Sequence, residues 1–277
     1  MTSCGGDGGR LRGEFGFKLP EGCVAEVVAL TSPQDACRLS LVALTFKSAA
    51  DSDAVWERFL PPDYEDILAL ADPFTLPASK KHLYLWLSDH PLLIDRGTKS
   101  FSLEKSSGRK CYMLAARGLS IAWGDTPRYW RWTAALPDCR FAEAAELVHV
   151  CWLEIRGKIS TSMLSPNTTY VAFLVFRLTA GAYGFEPPAE AAIGISGYEL
   201  ETQTVYLDRR RGRRHRCQTV PRPKVRGDGW MEIELGEYLN EEGEERELEM
   251  SVKEVKDLYS KTGLIIQGID IRPKVDK

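Results

Sequence analysis

The sequence predicts a multidomain α and β chain: a small N-terminal three-helix module, a helical linker, and a C-terminal antiparallel β-sandwich. Three observations predict it. Between Val24 and Phe59 apolar residues recur every three or four positions, as on one face of a helix. From about residue 100 they alternate singly, in short segments separated by Gly/Pro turns, as in half-buried strands. The length, 277 residues, is comfortable for two domains. The boundaries drawn from these shifts are a disordered tail at 1–17, the helical module at 18–62, the linker at 63–99 and the sandwich at 100–277.

Each element has a local reason. Pro20 suits a first helical position, Glu21 favours the positive end of the helix, and Val24, Val27 and Val28 mark its apolar face. Ser32-Pro33-Gln34-Asp35 reads as an N-cap, a proline at N1 and an acidic first turn. Ala36, Leu39, Ala43, Phe46 and Ala50 then share one helix face. Ser52 is placed to cap a third helix carrying Val55, Trp56 and Phe59. Three short helices bury too little to stand alone, so the module is expected to lean on a neighbour or a partner. In the linker, 63–70 and 80–87 suggest two short helices, with Trp86 packed inside it.

Strands are expected over 111–121, 150–159, 170–178, 229–235, 248–252 and 264–271. At 150–159 the alternation sets Leu153 and Ile155 against Trp152, Glu154 and Arg156, and at 229–235 it sets Met231, Ile233 and Leu235 against an outward ladder of Trp230, Glu232 and Glu234. Within this region only 140–148 reads as helix, with Phe141, Ala144, Ala145 and Val148 on one face.

Composition narrows the function. A formal net charge of −3 argues against a nucleic-acid binder, and 44% hydrophobic with 27% charged residues is ordinary for a soluble globular chain. No apolar run approaches a membrane span, and the polar, glycine-rich start does not resemble a secretory signal. Seven scattered cysteines without a C-x-x-C pair read as free thiols in a reducing compartment, with no structural metal and no cofactor expected. Asn167-Thr168-Thr169 matches a glycosylation sequon and reads as an ordinary turn. No nucleophile elbow, phosphate loop or metal-ligand cluster is present, and the Glu232/Glu234 pair suits a surface ladder, so catalysis is not expected.

The stretch 119–159 holds four of the seven tryptophans: Trp123, Trp130, Trp132 and Trp152. The first three share a run with Gly124, Asp125, Pro127 and Pro137, which punctuate loops. Indoles in such a loop either close a sandwich core or form an aromatic platform for a ligand. Further on, 198–223 reads as an insertion between strands, carrying RRRGRRHR at 209–216. That run reads as a solvated loop, a nuclear import signal or a patch for an acidic partner.

Leu19-Pro20-Glu21, Ser32-Pro33-Gln34-Asp35, Phe46 and Trp56-Glu57-Arg58-Phe59, in that order, closely resemble an F-box. LSIAWGDTPRYWRW, RFAEAAELVHVCWLEIRGKI, LSPNTTYVAFLVF, DGWMEIELGE and GLIIQGIDIRPK resemble the phloem lectins, the Nictaba-like family. The combination is similar to a plant architecture, an F-box followed by a jelly-roll-like lectin sandwich. The first resemblance implies docking on a Skp-type adaptor, and through it on the cullin of an SCF ubiquitin ligase. Leu19, Pro20, Val28, Pro33, Leu39, Val42 and Phe46 would supply the adaptor-facing surface. Cys23 departs from the branched aliphatic more usual there. The second resemblance implies a glycan site, with N-acetylglucosamine oligomers or N-glycans as ligands. Its tryptophans carry over to Trp123 and Trp130 through I-x-W-x(6)-W, and its glutamates to Glu247 and Glu254, with Glu249 a close competitor. The chain is therefore expected in the cytoplasm or nucleus, as a non-catalytic subunit. The rival readings are a sandwich that binds protein without binding sugar, and a free lectin.

Overall fold

Ser32 starts the local order of the helical module. Its Oγ accepts from the Asp35 amide at 3.1 Å and donates to the Asp35 carboxylate at 2.9 Å, which fixes Pro33 at the first helical position. The computed structural model describes residues 20–134, 136–209, 220–241 and 245–275. The expected tail, Leu19 and the basic residues 210–216 lie outside the described residues.

The module holds four helices rather than three: α1 (Glu21–Ala29), α2 (Pro33–Leu39), α3 (Leu44–Ala50) and α4 (Asp53–Phe59). The face expected to run unbroken from Ala36 to Ala50 is divided between α2 and α3. Ser40 donates from its hydroxyl to the Cys37 carbonyl at 2.6 Å, the chain turns through Leu41 and Val42, and Ala43 is extended. Pro20 sits one place earlier than expected, as the N-cap of α1, and Ser52 caps α4 without a side-chain bond. Trp56 is fully buried and its indole N–H donates to the Ala50 carbonyl at 2.6 Å, tying α4 to the end of α3.

The linker contains α5 (Tyr64–Ala69) and α6 (Lys80–Asp89). Ser79 caps α6 by accepting from the His82 amide at 3.3 Å. Trp86 stacks on Phe74 and His90 at ring distances of 5.0 and 5.5 Å. Leu83, Tyr84 and Leu87 are buried, and Tyr84 meets Trp56 at 5.1 Å.

Fourteen strands follow among the described residues. They are β1 (Leu92–Ile94), β2 (Lys99–Leu103), β3 (Lys110–Ala115), β4 (Ser120–Ile121), β5 (Trp130–Ala134), β6 (Glu143–Leu147), β7 (Leu153–Ser160), β8 (Thr168–Tyr183), β9 (Ala189–Ile195), β10 (Thr202–Val205), β11 (Lys224–Val225), β12 (Met231–Asn240), β13 (Glu247–Glu254) and β14 (Thr262–Pro273). The larger sheet runs β1-β2-β3-β14-β8-β12-β11, with β6 also on β14 and β5 on β6. The smaller runs β10-β9-β13-β7-β4. The strand pairings among the described residues are antiparallel, as expected for a sandwich.

Two expectations change. The segment 140–148 is not helical: its core forms β6, paired with both β5 and β14. Ala144 and Ala145 are helix formers, but a place between two strands that need partners overrides that preference. Trp230 is not on an outward ladder. It is fully buried with Met113, Phe141, Ala144 and Val175 on the outer side of the larger sheet, under the Arg177 guanidinium at 4.3 Å. The segment around Phe141 covers that side and makes a second small core.

The main core lies between the sheets and continues without a break into the helices. It runs from Val24, Trp56 and Tyr84 through Phe101 and Tyr112 to Ile155, Met250 and Ile269. Strand β1, counted with the linker from sequence, joins the larger sheet. Among the described residues no helix is long and apolar enough to cross a membrane.

Two glycines allow close approaches, Gly157 between the two sheets and Gly268 between neighbouring strands of the larger one. A Cβ on Gly157 of β7 would stand 2.9 Å from Ile269 Cδ1 and 3.0 Å from Leu119 Cδ2, both flexible side chains. A Cβ on Gly268, beside the bulge in β14, would stand 2.0 Å from the Leu114 carbonyl oxygen. Gly268→Ala should therefore cost about 2–3 kcal/mol, and Gly157→Ala about 1 kcal/mol, because side chains yield and backbone does not. Urea unfolding of both variants checks the order, and equal losses would contradict it.

Candidate functional site

The loop that carries Trp123 leaves the edge of the smaller sheet. After β4, the Ala122 amide donates to the Glu154 carbonyl at 3.0 Å, and Trp123 then takes a left-handed φ of 57°. The two flanking peptides are each held by an indole. Trp130 donates to the Ala122 carbonyl at 3.1 Å and Trp132 to the Gly124 carbonyl at 3.2 Å. Trp123 itself is 51% exposed and lies against Tyr129 at 5.7 Å. Trp130 is only 2% exposed. The two tryptophans picked from sequence thus stand differently: Trp123 presents its ring to solvent, and Trp130 is buried and holds the loop in place. A left-handed conformation is costly for a non-glycine residue, and the two indole bonds help to maintain it.

A fourth indole stands at the same end of the small sheet. Trp152 is exposed and donates to Glu154 Oε2 at 3.0 Å, while the Arg156 guanidinium holds Oε1 at 2.5 Å. Burial pushes the Glu154 carboxyl up, but these hydrogen bonds outweigh it and hold the group below the ordinary carboxylate range. The sequence placed Trp152, Glu154 and Arg156 on one strand face. Their joining into an indole–carboxylate–guanidinium chain is decided by the fold.

Glu247 and Glu254 do not come together. They are an odd number of positions apart on β13, so they face opposite sides of the sheet. Glu247 faces outward, ion-paired to Lys158 at 2.6 Å, and that bond lowers its pKa. Glu247 opposes Ser160 and Glu254 opposes Leu153, so at about 3.3 Å per residue Glu247 stands roughly 23 Å along the sheet from the tryptophan end. Glu254 faces inward and is buried, paired with the buried Lys261 ammonium. Lys261 also donates to the carbonyls of Cys151, Tyr259 and Asp257 at 3.0, 3.0 and 3.2 Å, and Glu254 Oε1 accepts from the Asp257 amide at 2.9 Å. The pair ties the loop after β13 to the chain just before Trp152. Glu249 faces outward, bonded to Arg156 and Ser196, each at 3.1 Å.

In the helical module the six described members of the expected contact set also divide, Leu19 lying outside the described residues. Val28 and Pro33 are buried in the free chain, Leu39 and Phe46 are half-buried, and Pro20 and Val42 are exposed. The largest exposed apolar side chains nearby were not picked from sequence: Leu30, Leu41 and Leu44 are 79%, 87% and 84% exposed, beside Val42 at 70%. Leu41, Val42 and Leu44, which flank Ala43 but lie off the face of Ala36 and Ala50, were the available signal. Four large apolar side chains thus stand in water within one small module.

The buried ion pair makes a specific prediction. Glu254→Ala leaves the Lys261 charge buried without its partner and should cost about 3–5 kcal/mol. The double variant Glu254→Leu/Lys261→Met should recover most of that loss in urea unfolding. A double variant as unstable as the single would show that the loop contacts, and not the charge, set the cost.

Comparisons with known proteins give the context. The model of the family described as Phloem protein 2 matches residues 109–273. The F-box protein PP2-B10 of Arabidopsis thaliana is 48% identical over 260 residues, covering 92% of this chain and 93% of the relative. F-box protein At2g02240 of the same plant is 47% identical over 258 residues, covering 92% and 79%. Among solved structures, a family 35 carbohydrate binding module from Clostridium thermocellum covers 58% of this chain and 96% of its own, at 8% identity and a TM-score of 0.34, a likeness too low to carry an argument. On the family match and the two relatives, this chain belongs to the plant F-box proteins that carry a Phloem protein 2 domain.

Proposed function

We propose that the chain is the substrate-recognition subunit of an SCF-type ubiquitin ligase. Its helical module docks on a Skp-type adaptor and, through it, on the cullin. Its sandwich holds targets by their glycans, with N-acetylglucosamine oligomers or N-glycans as the ligands. The reading carries a cytoplasmic or nuclear location with it.

The observation that carries the first half is the exposed apolar set on the helical module. Leu30, Leu41, Val42 and Leu44 cost free energy in water, and covering them returns it, at roughly 25 cal/mol per Å² of apolar area. Pro20, Leu39, Val42 and Phe46 join them in the proposed interface, and Leu19 precedes Pro20 in the chain. Val28 and Pro33 shape that surface from beneath.

The glycan half is supported by Trp123, an exposed indole on a braced loop with a carboxylate chain beside it. A pyranose offers a C–H face to an aromatic ring and hydroxyls to carboxylates and guanidinium groups, which are the groups assembled here. In this reading Trp123 is the stacking ring. Trp130 and Glu254 keep the loops in register, and Glu247 stands at the far end of the same outer face.

Two measurements test the reading separately. Leu44→Asp and Phe46→Ala should each weaken binding to the adaptor by about 2 kcal/mol or more, near 30-fold in Kd, with an unchanged melting temperature for the exposed Leu44. Undiminished co-purification of both variants with the adaptor would remove these residues from the interface. Trp123→Ala should abolish the quenching of tryptophan fluorescence by N-acetylglucosamine oligomers while leaving the circular dichroism spectrum intact. A folded Trp123→Ala variant that still binds them, or a wild-type chain that binds none, would remove sugar stacking from the function of this loop.

A further inference from the structure

The outer face of the smaller sheet carries a groove that the family resemblance does not account for. It has a volume of about 340 Å³ and lies over β7, β13 and β9 and against the β9–β10 loop. Strand register lays out the sheet face that carries it. One rung is Glu154, Lys253 and Glu190; the next is Arg156, Ser251, Ala192 and Thr202; the third is Lys158, Glu249 and Gly194. The wall is the β9–β10 loop, which turns at Gly197 with φ 90°. Leu200 folds flat onto Gly194, where a Cβ would meet it at 2.7 Å, and Tyr198 is left 73% exposed at the rim.

The chemistry of the floor selects a ligand class. Cations and carboxylates alternate and are already paired: Arg156 with Glu154 at 2.5 Å and Glu249 at 3.1 Å, Lys158 with Glu247 at 2.6 Å, and Lys256 at the edge with Glu190 at 2.5 Å. A phosphate or a nucleic acid would meet these carboxylates and gain little. A neutral hydroxyl-rich ligand is served by them, since charged donors and acceptors side by side suit vicinal hydroxyls, and charge-assisted bonds are the stronger kind. An aromatic ring at the rim supplies the apolar contact. Glu154 links the groove to the tryptophan end: it pairs with Arg156 and Lys253 of the groove lining and accepts from the Trp152 indole.

We infer that the outer face of the smaller sheet is an extended oligosaccharide track, in which Trp123 and the Trp152–Glu154 pair hold one end of a linear glycan while the groove of Arg156, Glu249 and Tyr198 holds sugar units further along. This deepens the glycan reading above and rests on it. It gives Glu247, roughly 23 Å from the tryptophan end at the strand rise of about 3.3 Å per residue, a place beside the far part of the same face. It also makes chain length, in addition to the terminal sugar, a determinant of affinity.

Calorimetric titration of the full chain with N-acetylglucosamine oligomers of increasing length tests the inference. Affinity should rise by about fivefold to tenfold from the shortest binding oligomer to the longest, the gain expected of one more aromatic contact with its hydrogen bonds. Tyr198→Ala and Glu249→Gln should each remove that gain and leave the shortest oligomer's affinity unchanged, whereas Trp123→Ala should weaken every length. Thermal melting of each variant separates loss of the groove from loss of the fold, and Tyr198, being exposed, is the variant least open to that objection. Affinity independent of length, or long-oligomer affinity unchanged in both groove variants, overturns the track while leaving the Trp123 reading standing. A wild-type chain that binds no oligomer of any length overturns both.

Discussion

Everything in the sandwich depends on one constraint: β7 and β13 must bury every second side chain against β14 and β3. Leu153, Ile155 and Ile159 on one strand and Leu248, Met250 and Val252 on the other are buried against Leu114, Ile269 and Ile271 of the facing sheet. Strand alternation then obliges Glu154, Arg156, Lys158, Glu249 and Lys253 to share the opposite face. The charged outer face is thus the other side of the core, and a shift of register by one residue would exchange the two. Gly157 lets the layers close to the distance at which this burial is effective.

The loops at the tryptophan end inherit their shape from that frame. Trp130 and Trp132 spend their indole N–H groups on backbone carbonyls of the loop, so an aromatic-rich segment becomes a fixed one. Glu254 ends the inward row of β13 as a charge, and Lys261 at the start of β14 neutralises it while donating to three loop carbonyls. A buried pair of this kind contributes little net stability but fixes geometry, because either member alone would be very unfavourable. The result is two exposed indoles, Trp123 and Trp152, with the half-buried Glu154 bonded to the second, held on supports whose own groups are used up.

The helical module is joined to this frame by shared burial. Trp56 packs on Tyr84, whose hydroxyl donates to the carbonyls of Glu104 and Lys105 in the β2–β3 turn, and Lys110 of β3 pairs with Asp63 at 2.9 Å. One side of the module is therefore committed to the rest of the chain, and Val28 and Pro33 are buried within it. The exposed leucines are on what remains. An adaptor bound there and a ligand on the outer face of the small sheet would be held by one continuous core.

The sequence by itself determined the order of helices, linker and strands, the capping at Ser32, the inward rows of β7 and β13, and the location of the tryptophan-rich loop. These depend on local spacing and local chemistry, which period and residue type express directly. What it could not determine was which polar or aromatic groups end up covered. Glu143–Leu147 reads as helix alone and becomes a strand only because β5 and β14 both need a partner. Trp230 alternates with glutamates as a surface residue would, yet the Phe141 segment closes over it. Trp123 and Trp130 match one motif, and only the fold makes one a face and the other a support. Glu254 and Glu247 belong to one acidic run, and it is the pairing of β13 with its neighbours that turns one toward Lys261 and the other toward solvent. Burial is a property of what packs from elsewhere in the chain, so it was decided by the tertiary structure.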